Sequence, residues 1–265
     1  MRAFASDLDR TLIYSTKMLN THQTNSPCEL IETVDGRQIS YISLKTKASL
    51  SKLNREMYFI PVTTRTISQY KRIHLFQTEI IPEYAITSNG GHILKGGSVL
   101  QDWTNYIHEQ LKACLSLDEM IKRIRNIANP QWVEQINQAD NLFIYLFINR
   151  SLITKKEIND LNEWARNLGW QMSLQGRKLY LIPFPINKWK AVEFLCNELN
   201  VSTIYSAGDS LLDYDLITNG HFGISPLHGE VLEHYPTINK TTSSGMKASE
   251  EIVELIHNKI FTTSP

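Results

Sequence analysis

Asp7 and Asp9 stand one residue apart in Asp7-Leu8-Asp9-Arg10-Thr11, directly after the apolar run Ala3-Phe4-Ala5. Strand side chains alternate between faces, so the spacing predicts both carboxylates pointing the same way as the chain leaves a first strand. Two like charges this close repel unless a cation lies between them or one keeps a proton. Either outcome serves phosphoryl transfer: a metal-bound carboxylate nucleophile beside a carboxylic acid that protonates a leaving oxygen. By itself the pattern also fits an acidic loop capping a helix.

Three further polar clusters bear on that choice. Thr63-Thr64-Arg65 follows the β-prone run Met57 to Val62. At a helix start, the Thr63 hydroxyl and backbone N–H would both donate to a phosphate. Lys188 opens a helical stretch after Pro183 and Pro185 and offers a point positive charge for a phosphate and for Asp7. Gly208-Asp209-Ser210-Leu211-Leu212-Asp213 follows the strand-like Thr203 to Ala207. Its Asp209 and Asp213 add hard oxygen donors of the kind Mg²⁺ takes. Singly, each has a plainer reading: a helix cap, a surface lysine, a turn, a first-turn acid. Together they fall in one order, each where a strand or an inserted block hands over to a helix. Arg65 and Asn89, the latter in Ser88-Asn89-Gly90 at a strand end, are the core residues best placed to touch substrate beyond the phosphate. Their plainer readings are an ion pair at a helix start and a left-handed turn. The histidines form no metal-like cluster.

The elements that must position these residues follow from periodicity and turn chemistry. A first strand runs to about Ser6, and Ile13 to Ser26 is polar. Leu30–Val34 and Arg37–Tyr41 flank Asp35-Gly36, a strong hairpin signal. Leu44 to Asn54 reads as a helix with Leu44, Ala48 and Leu53 on one face. A buried strand at 57–62, a helix at Ile67 to Gln77, a strand at 84–87 and a hairpin at Gly96-Gly97 follow. From Thr104 the texture changes: helical patterns broken by Asn129-Pro130, then strands at 132–135 and 142–148. A helix at 154–167 has Thr154 and Glu157 as a capping box, and strands follow at 170–174 and 178–182. After Pro185 strands and helices alternate again: helix 188–199, strand 203–207, helix 211–217, strand 221–224 and helix 246–259. The pattern predicts an α/β protein with a doubly wound, mostly parallel sheet, residues 1–103 and 183–265, interrupted by an α+β unit at 104–182.

Composition excludes several classes. Lys plus Arg and Asp plus Glu both total 27, so no charge excess favours nucleic acid or an anionic membrane. No apolar run approaches the roughly 20 residues of a membrane span, and the early polar residues Ser6 and Asp7 argue against expecting a signal peptide. Cys28, Cys114 and Cys196 are odd in number and widely spaced, which suits packing in a reducing cytoplasm rather than a disulfide framework.

With its four motifs, Ser88-Asn89-Gly90 and the position of the insert, the whole chain resembles the haloacid dehalogenase (HAD) superfamily of phosphohydrolases. It is most similar to the Cof-type subgroup, with sucrose-phosphate and mannosyl-3-phosphoglycerate phosphatases as relatives. The resemblance implies Asp7 as the nucleophile that becomes an aspartyl-phosphate, and Asp9 as general acid and then base. It implies Mg²⁺ on Asp7, Asp9 (through its backbone carbonyl) and Asp209, with Asp213 as ligand or neighbour. Thr63 and Lys188 would bind phosphate, with Thr64, Arg65, Asn89 and Gly90 lining the substrate site. The insert would be a cap closing over a small phosphate ester, a sugar phosphate or similar. The implied protein is a cytoplasmic phosphatase, a monomer or weak homo-oligomer. A phosphomutase and a non-catalytic phosphate-binding module are the alternatives. The chain departs from the family at Thr64, where relatives carry Gly, at Trp189, again for Gly, and at Leu212 for Asn. The Asp35-Gly36 hairpin also lengthens the segment after the nucleophile; it is either a flap over the site or a surface ornament.

Overall fold

Residues 1–22, 26–127 and 131–262 are described by a computed structural model. The first stretch contains β1 (Arg2–Ser6), β2 (Tyr14–Ser15), α1 (Thr16–His22), β3 (Cys28–Val34), β4 (Arg37–Ser43), α2 (Leu44–Glu56) and β5 (Tyr58–Pro61). Then come α3 (Ile67–Lys71), α4 (Leu75–Thr78), β6 (Tyr84–Thr87), a 3-10 turn (Ser88–Gly90), β7 (His92–Lys95) and β8 (Ser98–Val99). The middle holds α5 (Gln101–Leu111), α6 (Leu117–Ile127), β9 (Val133–Ala139), β10 (Phe143–Ile148), α7 (Lys155–Arg166), β11 (Trp170–Gln175) and β12 (Lys178–Pro183). The chain closes with α8 (Lys188–Glu198), β13 (Thr203–Ala207), a 3-10 turn (Leu211–Asp213), α9 (Tyr214–Asn219), β14 (Phe222–Ile224), α10 (Val231–His234) and α11 (Met246–Thr262).

The chain divides into two compact units, one of residues 1–100 with 188–265 and one of residues 101–187. In the first, β14, β13, β1 and β5 form a parallel sheet in that order. Ala3 through Ser6 are wholly buried, as expected of a parallel strand covered on both faces. Phe4 stands in register between Tyr205 and Phe59 and joins Leu50, Leu53, Phe76, Ile252 and Val253 in the core. Pro61 is tolerated because it ends β5, opposite Ser6. β6 extends this layer through a parallel bridge from Ile86 to Val62, then turns back into antiparallel β7 and β8.

Three local expectations change. The buried face of α2 is Thr46, Leu50 and Leu53, while Leu44 and Ala48 are exposed. The sequence favoured the more apolar side chains, but Thr46 is sheltered by a hydrogen bond with Ser249 on α11 (2.8 Å). The helix expected over 67–77 is two, because the Ile73 N–H bonds Tyr70 O (3.0 Å) in a tight turn that buries Ile73. Within the polar stretch 13–26, β2 pairs with β4 and α1 follows it.

In the second unit β11, β12, β10 and β9 form an antiparallel sheet. α6 packs on β10 and α7 on β11. The expected capping box is present: Thr154 Oγ accepts from the Glu157 N–H (3.2 Å) and Glu157 accepts from the Thr154 N–H (2.8 Å). The break expected at Asn129-Pro130 lies outside the described residues. No helix among the described residues is long and apolar enough to cross a membrane.

Candidate active site

β1 and β13 are parallel neighbours, so their carboxyl ends lie side by side, where such sheets place ligand sites. Asp7 is the first residue beyond β1, and its N–H donates to Ala207 O, the last residue of β13 (2.9 Å). Lys188, the first residue of α8, is almost fully buried. Its ammonium donates to Asp7 Oδ1 (2.6 Å) and to Asp213 Oδ1 (2.5 Å). The Thr11 hydroxyl donates to Asp7 Oδ2 (3.2 Å). Asp213 Oδ2 accepts from the Ser210 N–H (2.9 Å), the Ser210 hydroxyl (2.7 Å) and the Asp209 N–H (3.2 Å). Asp213 therefore braces the 209–210 loop with one oxygen and Lys188 with the other. Gly208 makes this possible, since a Cβ there would lie 2.3 Å from Asp213 Cβ.

Asp7, Asp209 and Asp213 offer carboxylate oxygens within 4.8 Å of one another. Against these three carboxyl groups stand Lys188 and Arg10, whose Nε lies 3.0 Å from Asp209 Oδ2. Burial pushes the Asp7 carboxyl up to about 7; Lys188 opposes this, and the charges of Asp213 and Asp9 reinforce it. Asp209 is raised well above the carboxylate range by burial and then by the charge of Asp7. Burial works against the Lys188 ammonium, yet Asp213 and Asp7 hold its pKa above the ordinary lysine value, so it stays a cation. Crowded, half-compensated oxygens suit a hard divalent cation, which would relieve both carboxyls.

Arg10 has a left-handed backbone (φ 66°). His228 accepts the Gly245 N–H at Nδ1 (3.1 Å), so its proton sits on Nε2 and reaches Arg10 O (2.9 Å). His228 thus pins the loop between the two aspartates and Thr11. It was not legible in the sequence, where it is a lone histidine far from the motif.

Asp9 does not share the environment of Asp7. β1 ends at Ser6, so strand alternation no longer governs the motif. The Asp9 carboxylate is gripped from both oxygens by Arg65: Nε donates to Oδ2 (2.7 Å) and Nη2 to Oδ1 (2.8 Å). Arg65, expected near substrate, also donates from Nη1 to Glu32 Oε2 (2.7 Å) and from Nη2 to Ser40 Oγ (3.0 Å). Glu32 and Ser40 belong to the β3–β4 hairpin, which is thereby tied to the Asp7–Thr11 segment rather than loose on the surface. Sequence reasoning passed over both; the one signal was a charged residue inside the β-prone run Leu30–Val34.

Thr63 is fully buried after β5, but no helix starts there. Its N–H donates to Ile86 O (2.9 Å) and is not available to a phosphate. Its hydroxyl oxygen accepts the Arg65 N–H (3.1 Å), which leaves the hydroxyl proton to donate. The helix cap falls instead on Thr66, in a capping box with Gln69. Thr64 is half-buried. Asn89 is left-handed as expected (φ 59°), and so is Ser88 (φ 52°). The Asn89 N–H donates to Thr63 O (2.9 Å) and the Ser88 N–H to Arg65 O (2.7 Å), so the two clusters form one wall. The turn ending at Gly90 packs on α8, the helix that Lys188 opens.

In the second unit, the cross-strand register aligns two rows on one sheet face. Gln135, Phe147, Lys178 and Gln175 form one; Asn137, Tyr145, Tyr180 and Ser173 form the other. Lys178 Nζ lies over Tyr145 (5.5 Å) and Phe147 (5.7 Å), and the Tyr145 and Tyr180 rings are 5.8 Å apart. Asn137 Nδ2, Ser173 Oγ and Gln175 Nε2 are buried without a hydrogen-bond partner. Aromatic rings interleaved with unsatisfied amides and hydroxyls are the composition that polar organic ligands are bound by. The opposite face carries Ile144, Leu146, Leu179 and Leu181, all wholly buried.

A sequence model of the family described as sucrose-6F-phosphate phosphohydrolase matches residues 1–251. No curated protein matches the chain. Among solved structures, the chain is similar to the sucrose-phosphatase of Synechocystis sp. PCC6803, solved with sucrose and phosphate. The two share 19% identity over 97% of this chain and 98% of that one, with a TM-score of 0.68. A HAD subclass IIB sugar phosphatase matches at 14% identity over 98% of this chain and 100% of that one, with a TM-score of 0.60. A haloacid dehalogenase-like hydrolase from B. subtilis matches at 14% identity over 96% and 99% of the two chains, with a TM-score of 0.60. At these identities the structural likeness is one of fold.

Proposed function

Because the chain belongs to the sucrose-6F-phosphate phosphohydrolase family, and is a HAD-type phosphatase with a mostly parallel α/β sheet, we propose that it hydrolyses a sugar phosphate through an aspartyl-phosphate on Asp7. The observation that carries this reading is the buried Lys188 ammonium bonded to both Asp7 and Asp213. It draws Asp7 toward its ionised form against the effect of burial, and it supplies a positive charge for the incoming phosphoryl oxygens. An Asp7 oxygen attacks phosphorus, the ester bond breaks, and the leaving sugar oxygen takes a proton from Asp9. Water then attacks the same phosphorus, gives a proton to Asp9, and the Asp7 carboxylate leaves. The Thr63 hydroxyl, Lys188, and the wall formed by Thr64, Asn89 and Gly90 hold the phosphoryl group.

Mg²⁺ fits the donor set, with Asp7, Asp209 and the Asp9 backbone carbonyl to hold it and Asp213 beside them. When bound it supplies charge neutralisation at the phosphoryl oxygens. The unit at 101–187 acts as the cap, and its aromatic and amide face supports a sugar as the non-reacting part of the substrate. Sucrose 6F-phosphate is the first candidate, from the family. The test is phosphate release from sucrose 6F-phosphate, other sugar phosphates and an aryl phosphate, with Mg²⁺ and after exhaustive chelation. Release from sugar esters that requires Mg²⁺ is expected. No release from any ester overturns the function, and full activity after chelation overturns the metal.

A further inference from the structure

We infer that Glu32, with Ser40, is a positioning residue for Asp9, acting through Arg65, and that the β3–β4 hairpin is part of the catalytic machinery. The inference rests on the proposed role of Asp9. A guanidinium has five N–H donors in a rigid plane. In Arg65 one side of that plane grips both oxygens of Asp9, and the other meets Glu32 and Ser40. The Asp9 side chain is 46% exposed, on a loop, and this fork holds both of its carboxylate oxygens. The fork is in turn set by Glu32.

Glu32 is a costly residue to keep for structure alone. It is fully buried, and a buried carboxylate destabilises unless its oxygens are all engaged. They are: Oε2 accepts from Arg65 and from the Ser40 hydroxyl (2.7 Å), and Oε1 from Arg72 Nε (3.1 Å). Local backbone is shaped to deliver it. The β3–β4 register shifts on both sides of Glu32, a bulge that leaves consecutive residues Ile31 and Glu32 both buried. Bulges re-aim a side chain in this way, and regular alternation would have sent Glu32 to solvent. Ser40 stands directly opposite Glu32 in that register.

The arrangement has a consequence for the cycle. Asp9 must turn from Arg65 to the leaving oxygen and back to the attacking water. An arginine held only by Asp9 would be set loose at each turn. Anchored by Glu32 and Ser40, Arg65 stays in place and receives Asp9 in one orientation.

The test compares Glu32→Gln with wild type on two substrates through kcat/KM, which reports steps up to phosphoryl transfer. Sucrose 6F-phosphate has a poor leaving group that needs a proton, and 2,4-dinitrophenyl phosphate does not. The expected loss is about 10- to 100-fold on the sugar ester and less than about 3-fold on the aryl ester, with unchanged Mg²⁺ dependence. Ser40→Ala, which removes one hydroxyl, should show the same selectivity with a smaller loss and covers the case of a Glu32→Gln variant that fails to fold. Equal losses on both esters, or none, would overturn the inference. A crystal structure of Glu32→Gln gives an arm independent of turnover, with the two-oxygen grip of Arg65 on Asp9 expected to be lost. An unchanged grip overturns the inference, whereas a wild-type enzyme inactive on both esters overturns the proposed function instead.

Discussion

Lys188 lies between Asp7 and Asp213, and the balance of burial against its charge sets what Asp7 can do. Asp7→Asn should abolish turnover while the protein still unfolds cooperatively, since in the proposed mechanism an amide cannot replace the ionised oxygen that would attack phosphorus. Asp9→Asn should slow both ester cleavage and hydrolysis of the intermediate, so a phosphoenzyme should accumulate in acid-quenched samples. An Asp9→Asn enzyme of normal rate with no trapped phosphate would remove the acid–base role. Protonation also links Asp7 to stability. Its folded pKa of about 7 lies above the unfolded 3.8, so the folded state holds a proton that the unfolded state releases between those values. That contribution is complete below about pH 4 and lost as pH rises through about 7. In chelated protein, the Tm of Asp7→Asn minus that of wild type should therefore grow from about pH 5 to about pH 8. A flat difference would mean that Asp7 is not raised.

At the scale of elements, short loops and caps carry the site. Gly208 follows β13 directly and lies against the Asp213 side chain, with no room for a methyl group. Gly208→Ala should displace Asp213, free one bond of Lys188 and lower activity by about 10-fold or more, with a matching rise in the Mg²⁺ concentration needed. Activity and metal dependence like wild type would show that the loop adapts. In the second unit the Thr154–Glu157 capping box satisfies the first turn of α7. Thr154→Ala should cost about 1 kcal/mol in urea unfolding and leave kcat unchanged. The box was legible in the sequence because its partners are three residues apart and need no tertiary context. The Asp35-Gly36 hairpin was legible for the same reason, both residues taking positive φ (50° and 73°). Its purpose was not, because the bulge at Glu32 and the reach to Arg65 depend on what packs beside it.

Over the whole molecule, the site is assembled from segments far apart in the chain. Asp7 and Asp213 are joined by Lys188 because β1, β13 and the start of α8 meet at one sheet edge. The second unit, taken by itself, carries a different chemistry, the aromatic and amide rows of its sheet. Tyr145→Ala should lower kcat/KM about 10-fold for the sugar ester and leave the aryl ester within about 2-fold, because binding energy from the non-reacting sugar is what it removes. Equal effects on both esters would place sugar recognition in the first unit.

The sequence by itself determined the alternation of strands and helices, the texture change near residue 104, the capping box, the tight turns and the four polar clusters. These are local or strictly periodic signals, set by side-chain chemistry within a few residues. The tertiary structure decided which of the clustered groups meet. It put the Asp9 carboxylate on Arg65 instead of beside Asp7, because β1 stops at Ser6 and alternation stops with it. It committed the Thr63 N–H to Ile86, and it chose Thr46 over Ala48 for the buried face of α2. It also brought in Glu32, Ser40 and His228, whose partners lie 33, 25 and 218 residues away. Pairings at such separations are set by sheet order and packing, which no window of sequence contains.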